Sequence, residues 1–79
     1  MEHLNRRPYG NPGRDSGVRY FALGPSFIRI WFKDGGGYEY DHRKPGAQHV
    51  AEMKRLAEEG RGLATYINQH VGKNYARKL

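Results

Sequence analysis

The stretch from residue 27 to residue 33 alternates two kinds of side chain, and this alternation constrains the fold more than any other feature. Ile28, Ile30 and Phe32 point to one side of an extended backbone. The positions between them carry aromatic or charged side chains: Phe27, Arg29, Trp31 and Lys33. A period of two is typical of a strand with one buried face. The stretch therefore predicts a half-buried β-strand.

Two further strands are predicted beside it. The segment from residue 18 to residue 23 is short and contains aromatic and β-branched side chains, and Gly24-Pro25 ends it. After residue 33, Asp34-Gly35 can supply the positive φ angles of a tight turn, and Tyr38-Glu39-Tyr40 follows as the third strand. Together the three strands predict an antiparallel meander.

The second half of the chain changes to helical spacing. Apolar residues recur between positions 47 and 59, and Gly60 stands where a helix needs a left-handed C-terminal residue. A second helix is predicted from near Leu63 through Val71 and, less regularly, to Tyr75. The predicted fold class is α+β, a three-stranded meander followed by two helices packed on one face. Its predicted core is Ile28, Ile30, Phe32, Val50, Met53, Leu56, Leu63, Ile67 and Val71.

Residues 1 to 17 have a different composition. They contain glycines, prolines and arginines and follow neither period. We expect a flexible N-terminal arm whose deletion leaves the fold intact, and a single domain from residue 18 to residue 79. No segment has the length or apolarity of a membrane-spanning helix or a signal peptide.

Charge and cysteine usage limit the classes of function. The chain has 14 Lys and Arg against 8 Asp and Glu, a net charge of +6, and no cysteine. A basic surplus attracts polyanions by steering and by counterion release. The lack of cysteine removes disulfides and thiolate chemistry, so we expect a cytoplasmic protein.

The side of the central strand opposite Ile28 and Ile30 is the predicted binding surface. Arg29, Trp31 and Lys33 alternate there, and rings beside cations suit unstacked bases and phosphates. The predicted site also includes cations outside that strand: Arg19, Arg43 and Lys44.

The direction of two tyrosines depends on the hairpin register. If Asp34-Gly35 is a two-residue turn, Trp31 pairs with Tyr38, so Tyr38 and Tyr40 join the basic face. That register turns Glu39 toward the helices. If Asp34-Gly35-Gly36 is instead a three-residue loop with a bulge, Tyr38 faces with Phe32 and both tyrosines enter the core. We predict the first register, so the predicted site includes both tyrosines.

No constellation predicts catalysis or a cofactor. The histidines lack metal-ligand spacing, the triple glycine lacks the Lys-Ser/Thr of a phosphate-binding loop, and the serines lack a nucleophile elbow. We therefore expect a protein that is not an enzyme and that binds neither a metal nor a cofactor.

An ordered series of motifs resembles the KTSC domain, a small domain found at the C-terminus of some lysyl-tRNA synthetases and as stand-alone bacterial proteins. The series covers residues 18 to about 75 and includes Ile28-x-Ile30-x-Phe32-x-Asp34-Gly35, Tyr38-x-Tyr40, Pro45, Gly60, Tyr66-Ile67-Asn68 and Tyr75. The Arg-rich arm and the run Gly35-Gly36-Gly37 depart from it. The resemblance implies the α+β fold, and the fusion to a synthetase suggests RNA as a partner.

Two functions agree with these features. The first is a module that binds a polyanion, RNA above all. The second is a protein-binding module anchored by Trp31 and the tyrosines, because aromatic residues and Arg are enriched at interfaces. A small inhibitor from a phage or mobile element, such as an anti-CRISPR-like protein that occludes a nucleic-acid-handling complex, belongs to this second class.

Overall fold

The alternating stretch lies in the middle of an antiparallel sheet. The computed structural model of the chain describes residues 6–10 and 17–79. In that part of the chain the sheet has five strands, whose spatial order follows the sequence. They are β1 (Arg7–Pro8), β2 (Val18–Leu23), β3 (Phe27–Phe32), β4 (Gly37–Asp41) and β5 (Arg77–Lys78). The α+β class is confirmed, and two-residue edge strands extend the expected meander β2–β4 on both sides.

Two helices follow the meander. Helix α1 (Ala47–Glu59) has the predicted bounds and ends at Gly60, whose φ of 77° is left-handed. Helix α2 (Leu63–Tyr66) continues directly into a π-helical segment, Ile67–Val71. Neither helix of the described residues is long and apolar enough to cross a bilayer.

The predicted continuation of the second helix to Tyr75 is wrong. The helical backbone stops at Gly72, where φ is 57° and ψ is −127°. The chain then turns back, and the Ala76 N–H donates to the Glu39 carbonyl at 2.7 Å. Residues 77 and 78 consequently pair with β4 at the edge of the sheet.

The core lies between the sheet and the helices. All the predicted core residues are buried except Phe32 and Leu56, which are partly buried and pack against the others. The core also contains residues that were not predicted from the sequence: Tyr9, Val18, Phe21, Tyr40 and Ala57.

The N-terminal region is part of the fold where the structure describes it. Tyr9 is only 6% exposed, and its hydroxyl accepts a hydrogen bond from the Leu63 N–H at 3.1 Å. Its own N–H donates to the Arg19 carbonyl at 2.9 Å. The prediction of an arm separate from the domain is therefore wrong for residues 6–10. The remainder of the predicted arm, 1–5 and 11–16, lies outside the described residues.

The hairpin between β3 and β4 has a three-residue loop, but this loop begins one residue earlier than the predicted alternative Asp34-Gly35-Gly36, so the observed register is neither of the two predicted. Ile30 pairs with Tyr38, and Trp31 pairs with Gly37. The loop is Lys33–Gly35, because the Phe32 N–H donates to the Gly36 carbonyl at 2.8 Å. Gly35 has a φ of 94°, the left-handed position of a three-residue hairpin loop.

This register corrects the prediction that Tyr38 and Tyr40 join the basic face. Partners in an antiparallel pair share one face of the sheet, so both tyrosines lie on the side of Ile28 and Ile30. Tyr40 is 2% exposed, and Tyr38 is partly buried against the core. Glu39 consequently points away from the helices.

The role of Tyr9 can be tested by replacing it. We expect Tyr9→Ala to lower the free energy of unfolding by about 3 kcal/mol, because a buried ring is lost. Tyr9→Phe should cost about 1 kcal/mol, because only the bond to the Leu63 N–H is lost. Urea denaturation measures both.

The matched control is Tyr20→Ala, which removes a tyrosine that is 41% exposed. We expect its cost to be well below that of Tyr9→Ala. Equal costs at the two positions would show that Tyr9 does not join the helices to the sheet.

Candidate nucleic-acid interface

One face of the sheet is not covered by the helices. Helix α1 contacts β3 and β4 on the side of Ile28 and Ile30, where Val50 and Met53 complete the core. The opposite side is called the outer face here, and it carries Tyr20, Phe27, Arg29, Trp31, Glu39 and Arg77.

The indole of Trp31 lies over Gly37, its partner on β4. A Cβ atom added at Gly37 would be 2.6 Å from Cδ1 and 2.7 Å from Nε1 of Trp31. Only glycine leaves room for the ring at that distance, so the ring covers backbone that would otherwise face solvent. Trp31 is half-buried on the outer face.

A cation from the N-terminal strand region lies over two aromatic rings. The guanidinium carbon of Arg6 is 4.7 Å from the ring centroid of Tyr20 and 5.0 Å from that of Trp31. These two rings are neighbours because Tyr20 and Trp31 are partners across β2 and β3. The arrangement is a cation–π contact shared by two rings. Tyr20 remains 41% exposed.

A shallow cleft of about 250 Å³ lies beside these rings. Arg19, Trp31 and Lys33, all predicted site residues, line it together with Arg6 and Tyr20. Arg19 lies at a register shift between β2 and β3, and such bulges redirect side chains. No acidic side chain in the described ranges lines the cleft, so Arg6, Arg19 and Lys33 give it a positive potential.

Arg29 lies on the outer face but does not line the cleft. Its Nε donates to Oε1 of Glu39 at 2.8 Å, and its guanidinium lies 5.0 Å from the ring centroid of Phe27. Arg77 donates to the same carboxylate oxygen at 3.2 Å. The Glu39 side chain is 12% exposed, so the carboxylate is screened from solvent by the two guanidinium groups. Arg29 is thus partly neutralised, and the cleft centres on Trp31 and Lys33 without it.

Arg43 and Lys44 are not brought to the cleft. Both are exposed in the turn after β4, where Oδ1 of Asp41 accepts their N–H groups at 2.9 Å. Asp41 and Gly37 are at opposite ends of β4, about 13 Å apart at the usual rise per residue. The structure therefore does not bring these two predicted site residues together with Trp31 in the cleft.

Sequence reasoning missed Arg6 and Tyr20. Tyr20 is adjacent to the predicted Arg19, but only the strand pairing shows that its ring neighbours Trp31. Arg6 lies in a segment without periodicity, and its one signal was the pair Arg6-Arg7 in a basic arm.

Among the described residues, no three His, Cys, Asp or Glu side chains are grouped so that they could hold a metal ion. Comparisons of the chain with protein-family models, with curated proteins and with solved structures found no match. The resemblance to the KTSC domain thus stays a prediction.

The contact between Trp31 and Gly37 predicts the effect of Gly37→Ala. The added methyl group displaces the indole, and we expect a loss of about 1 to 3 kcal/mol in the free energy of unfolding. The emission of Trp31, the single tryptophan of the chain, should shift to longer wavelength as the ring becomes more exposed. Urea denaturation and fluorescence measure these effects.

Gly17→Ala is the control for this substitution. A Cβ atom at Gly17 would be 3.9 Å from the nearest side-chain atom, Cδ1 of Phe32, which is an ordinary contact. Unchanged emission and stability in Gly37→Ala would contradict the seating of the indole on Gly37.

Proposed function

We propose that this chain is a non-enzymatic module that binds single-stranded RNA through the cleft on the outer face. One observation carries the proposal: the adjacent rings of Tyr20 and Trp31 are framed by Arg6, Arg19 and Lys33, and within residues 6–10 and 17–79 no carboxylate lines the cleft. Bases of an unpaired strand would stack on the rings while its phosphates contact the cations.

The position of Arg6 suits this chemistry in the free protein and in the complex. Its guanidinium occupies the faces of both rings in the free protein. A guanidinium can equally stack on a base or bind a phosphate, so an incoming nucleotide replaces one partner of Arg6 by another. The net charge of +6 adds long-range attraction for the strand.

We also propose a protein family and a cellular compartment for this chain. The motif series that resembles the KTSC domain supports membership of that family, and its occurrence in lysyl-tRNA synthetases favours RNA over DNA. The absence of cysteine fits the reducing cytoplasm, where such a partner would be met.

A protein partner is the second candidate. It is favoured by the 41% exposure of Tyr20 next to Trp31 and Arg6, because aromatic residues and arginine anchor protein interfaces. An inhibitor that occludes a nucleic-acid-handling complex would use the surface in this way. Salt distinguishes the two, since phosphate contacts weaken steeply with salt and an aromatic protein interface does not.

Fluorescence anisotropy with a labelled single-stranded RNA at several salt concentrations tests the proposal. We expect Tyr20→Ala and Trp31→Ala each to weaken binding by about 1 to 3 kcal/mol through lost stacking, with little change in the salt slope. Lys33→Ala should lower the slope by about one, the change expected for one lost phosphate contact.

Arg55→Ala is the matched control for Lys33→Ala, since each removes one positive charge. Arg55 lies on α1 and is paired with Glu52 and Glu59. The Arg55→Ala substitution should leave RNA binding unchanged. Circular dichroism should show that every variant is folded. Folded Tyr20→Ala and Trp31→Ala proteins that bind RNA as well as the parent would overturn the stacking site. If the unsubstituted protein fails to bind RNA at low salt, the proposal of RNA binding is overturned and the protein-binding function is favoured.

A further inference from the structure

A second and larger cleft, of about 460 Å³, lies on the other side of the sheet from the outer face. It opens between the edge formed by β4 and β5 and the C-terminal end of the second helix. One wall is built by the segment after Gly72, which turns back so that Lys78 pairs with Tyr38. The volume falls within the range of about 300 to 1,000 Å³ that is usual for small-molecule sites.

Three tyrosine rings line this cleft. The ring centroids of Tyr38 and Tyr75 are 4.6 Å apart with an interplanar angle of 39°. Tyr40 meets Tyr75 edge to face, with centroids 6.3 Å apart. The rings support one another and form a rigid aromatic wall on which a planar group can pack.

The polar groups of the cleft are free to bind a ligand. The side chains of Asn68, Lys73 and Lys78 line it beside the three phenols. Within the described part of the chain, none of these side chains hydrogen-bonds to another protein group, and no buried polar side-chain atom is left without a partner. Their polar atoms therefore reach solvent in the cleft.

The charge of the cleft has one sign. Lys73 and Lys78 are both exposed, and no acidic side chain in the described part of the chain lines the cleft. Burial raises the pKa of Tyr40 above its ordinary value, so its hydroxyl stays a neutral hydrogen-bond donor at physiological pH. The cleft thus combines an aromatic wall, neutral hydrogen-bonding groups and two cations.

We propose that this cleft binds a free mononucleotide, with the base packed on the wall of Tyr38 and Tyr75 and the phosphate held by Lys73 and Lys78. Asn68 and the Tyr40 hydroxyl would contact the polar edge of the base. Inorganic phosphate alone would leave the wall uncovered, and an uncharged ring would leave the two ammonium groups unpaired. The site lies on the other side of the sheet from the RNA cleft, and Phe32 is the one described residue that lines both.

A titration of the ¹⁵N-labelled full-length chain with adenosine monophosphate, followed by NMR, tests the proposal. We expect saturable shifts at the amides of Asn68, Lys73, Tyr75 and Lys78. Adenosine and inorganic phosphate should each bind about tenfold or more weakly, since each lacks one half of the recognised chemistry. Equal affinity for inorganic phosphate and adenosine monophosphate would overturn the proposal, as would the absence of saturable shifts.

Lys73→Ala and Lys78→Ala should each weaken binding of adenosine monophosphate by about tenfold, the order expected for a charge-assisted hydrogen bond. Lys44→Ala is the control, because Lys44 is an exposed lysine that does not line the cleft. If Lys44→Ala loses as much affinity for adenosine monophosphate as the two cleft variants, the effect comes from net charge alone and the proposed site is overturned.

The indole N–H signal of Trp31 reports the outer face in the same spectra. Shifts confined to Trp31 and its neighbours would place the nucleotide in the RNA cleft and overturn the second site. RNA binding by the anisotropy assay should be retained in Lys73→Ala and Lys78→Ala. The two proposals can thus fail independently.

Discussion

The three-residue loop between β3 and β4 is the constraint on which both faces of this sheet depend. Gly35 takes a left-handed φ of 94°, and the pairing that follows places Tyr38 opposite Ile30 and Gly37 opposite Trp31. A shift of one residue would exchange the two faces of β4. The tyrosines would then leave the core, and Glu39 would enter it. The register thereby places the tyrosines of the aromatic wall on the helix side of the sheet. It also places Gly37 beneath the indole of Trp31 on the outer face.

The described N-terminal residues hold the two layers together. Tyr9 passes to the helix side, where its hydroxyl meets the first turn of α2, while Arg6 stays on the outer face over Tyr20 and Trp31. The segment thus contributes one residue to the core and one to the candidate site. This explains how an exposed strand of two residues keeps its place at the edge of the sheet.

The sequence was sufficient for the elements that carry a period. Alternation in β3 and helical spacing in α1 each extend over several residues, so strand, helix and most of the core could be predicted. The edge strands could not, since two residues carry no period and their pairing is set by distant contacts such as that of Tyr9 with Leu63. The hairpin register could not either, because three successive glycines can each adopt the positive φ that selects the loop.

The candidate site was predicted to a similar extent. Trp31 and Lys33 followed from the alternation around β3, and Arg19 from its neighbour strand. Arg6 and Tyr20 depend on cross-strand neighbours that one-dimensional spacing does not show. Arg43 and Lys44 were assigned by charge alone, and the length of β4 separates them from the cleft.

Trp31 is the single tryptophan of the chain, so its intrinsic fluorescence observes the proposed RNA site directly. The decisive measurement is a titration of the unmodified protein with unlabelled single-stranded RNA, followed by tryptophan emission at low and at high salt. Stacking of a base on the indole predicts saturable quenching at low salt that disappears as salt rises. RNA binding shown by an independent assay without any change in Trp31 emission would contradict the account.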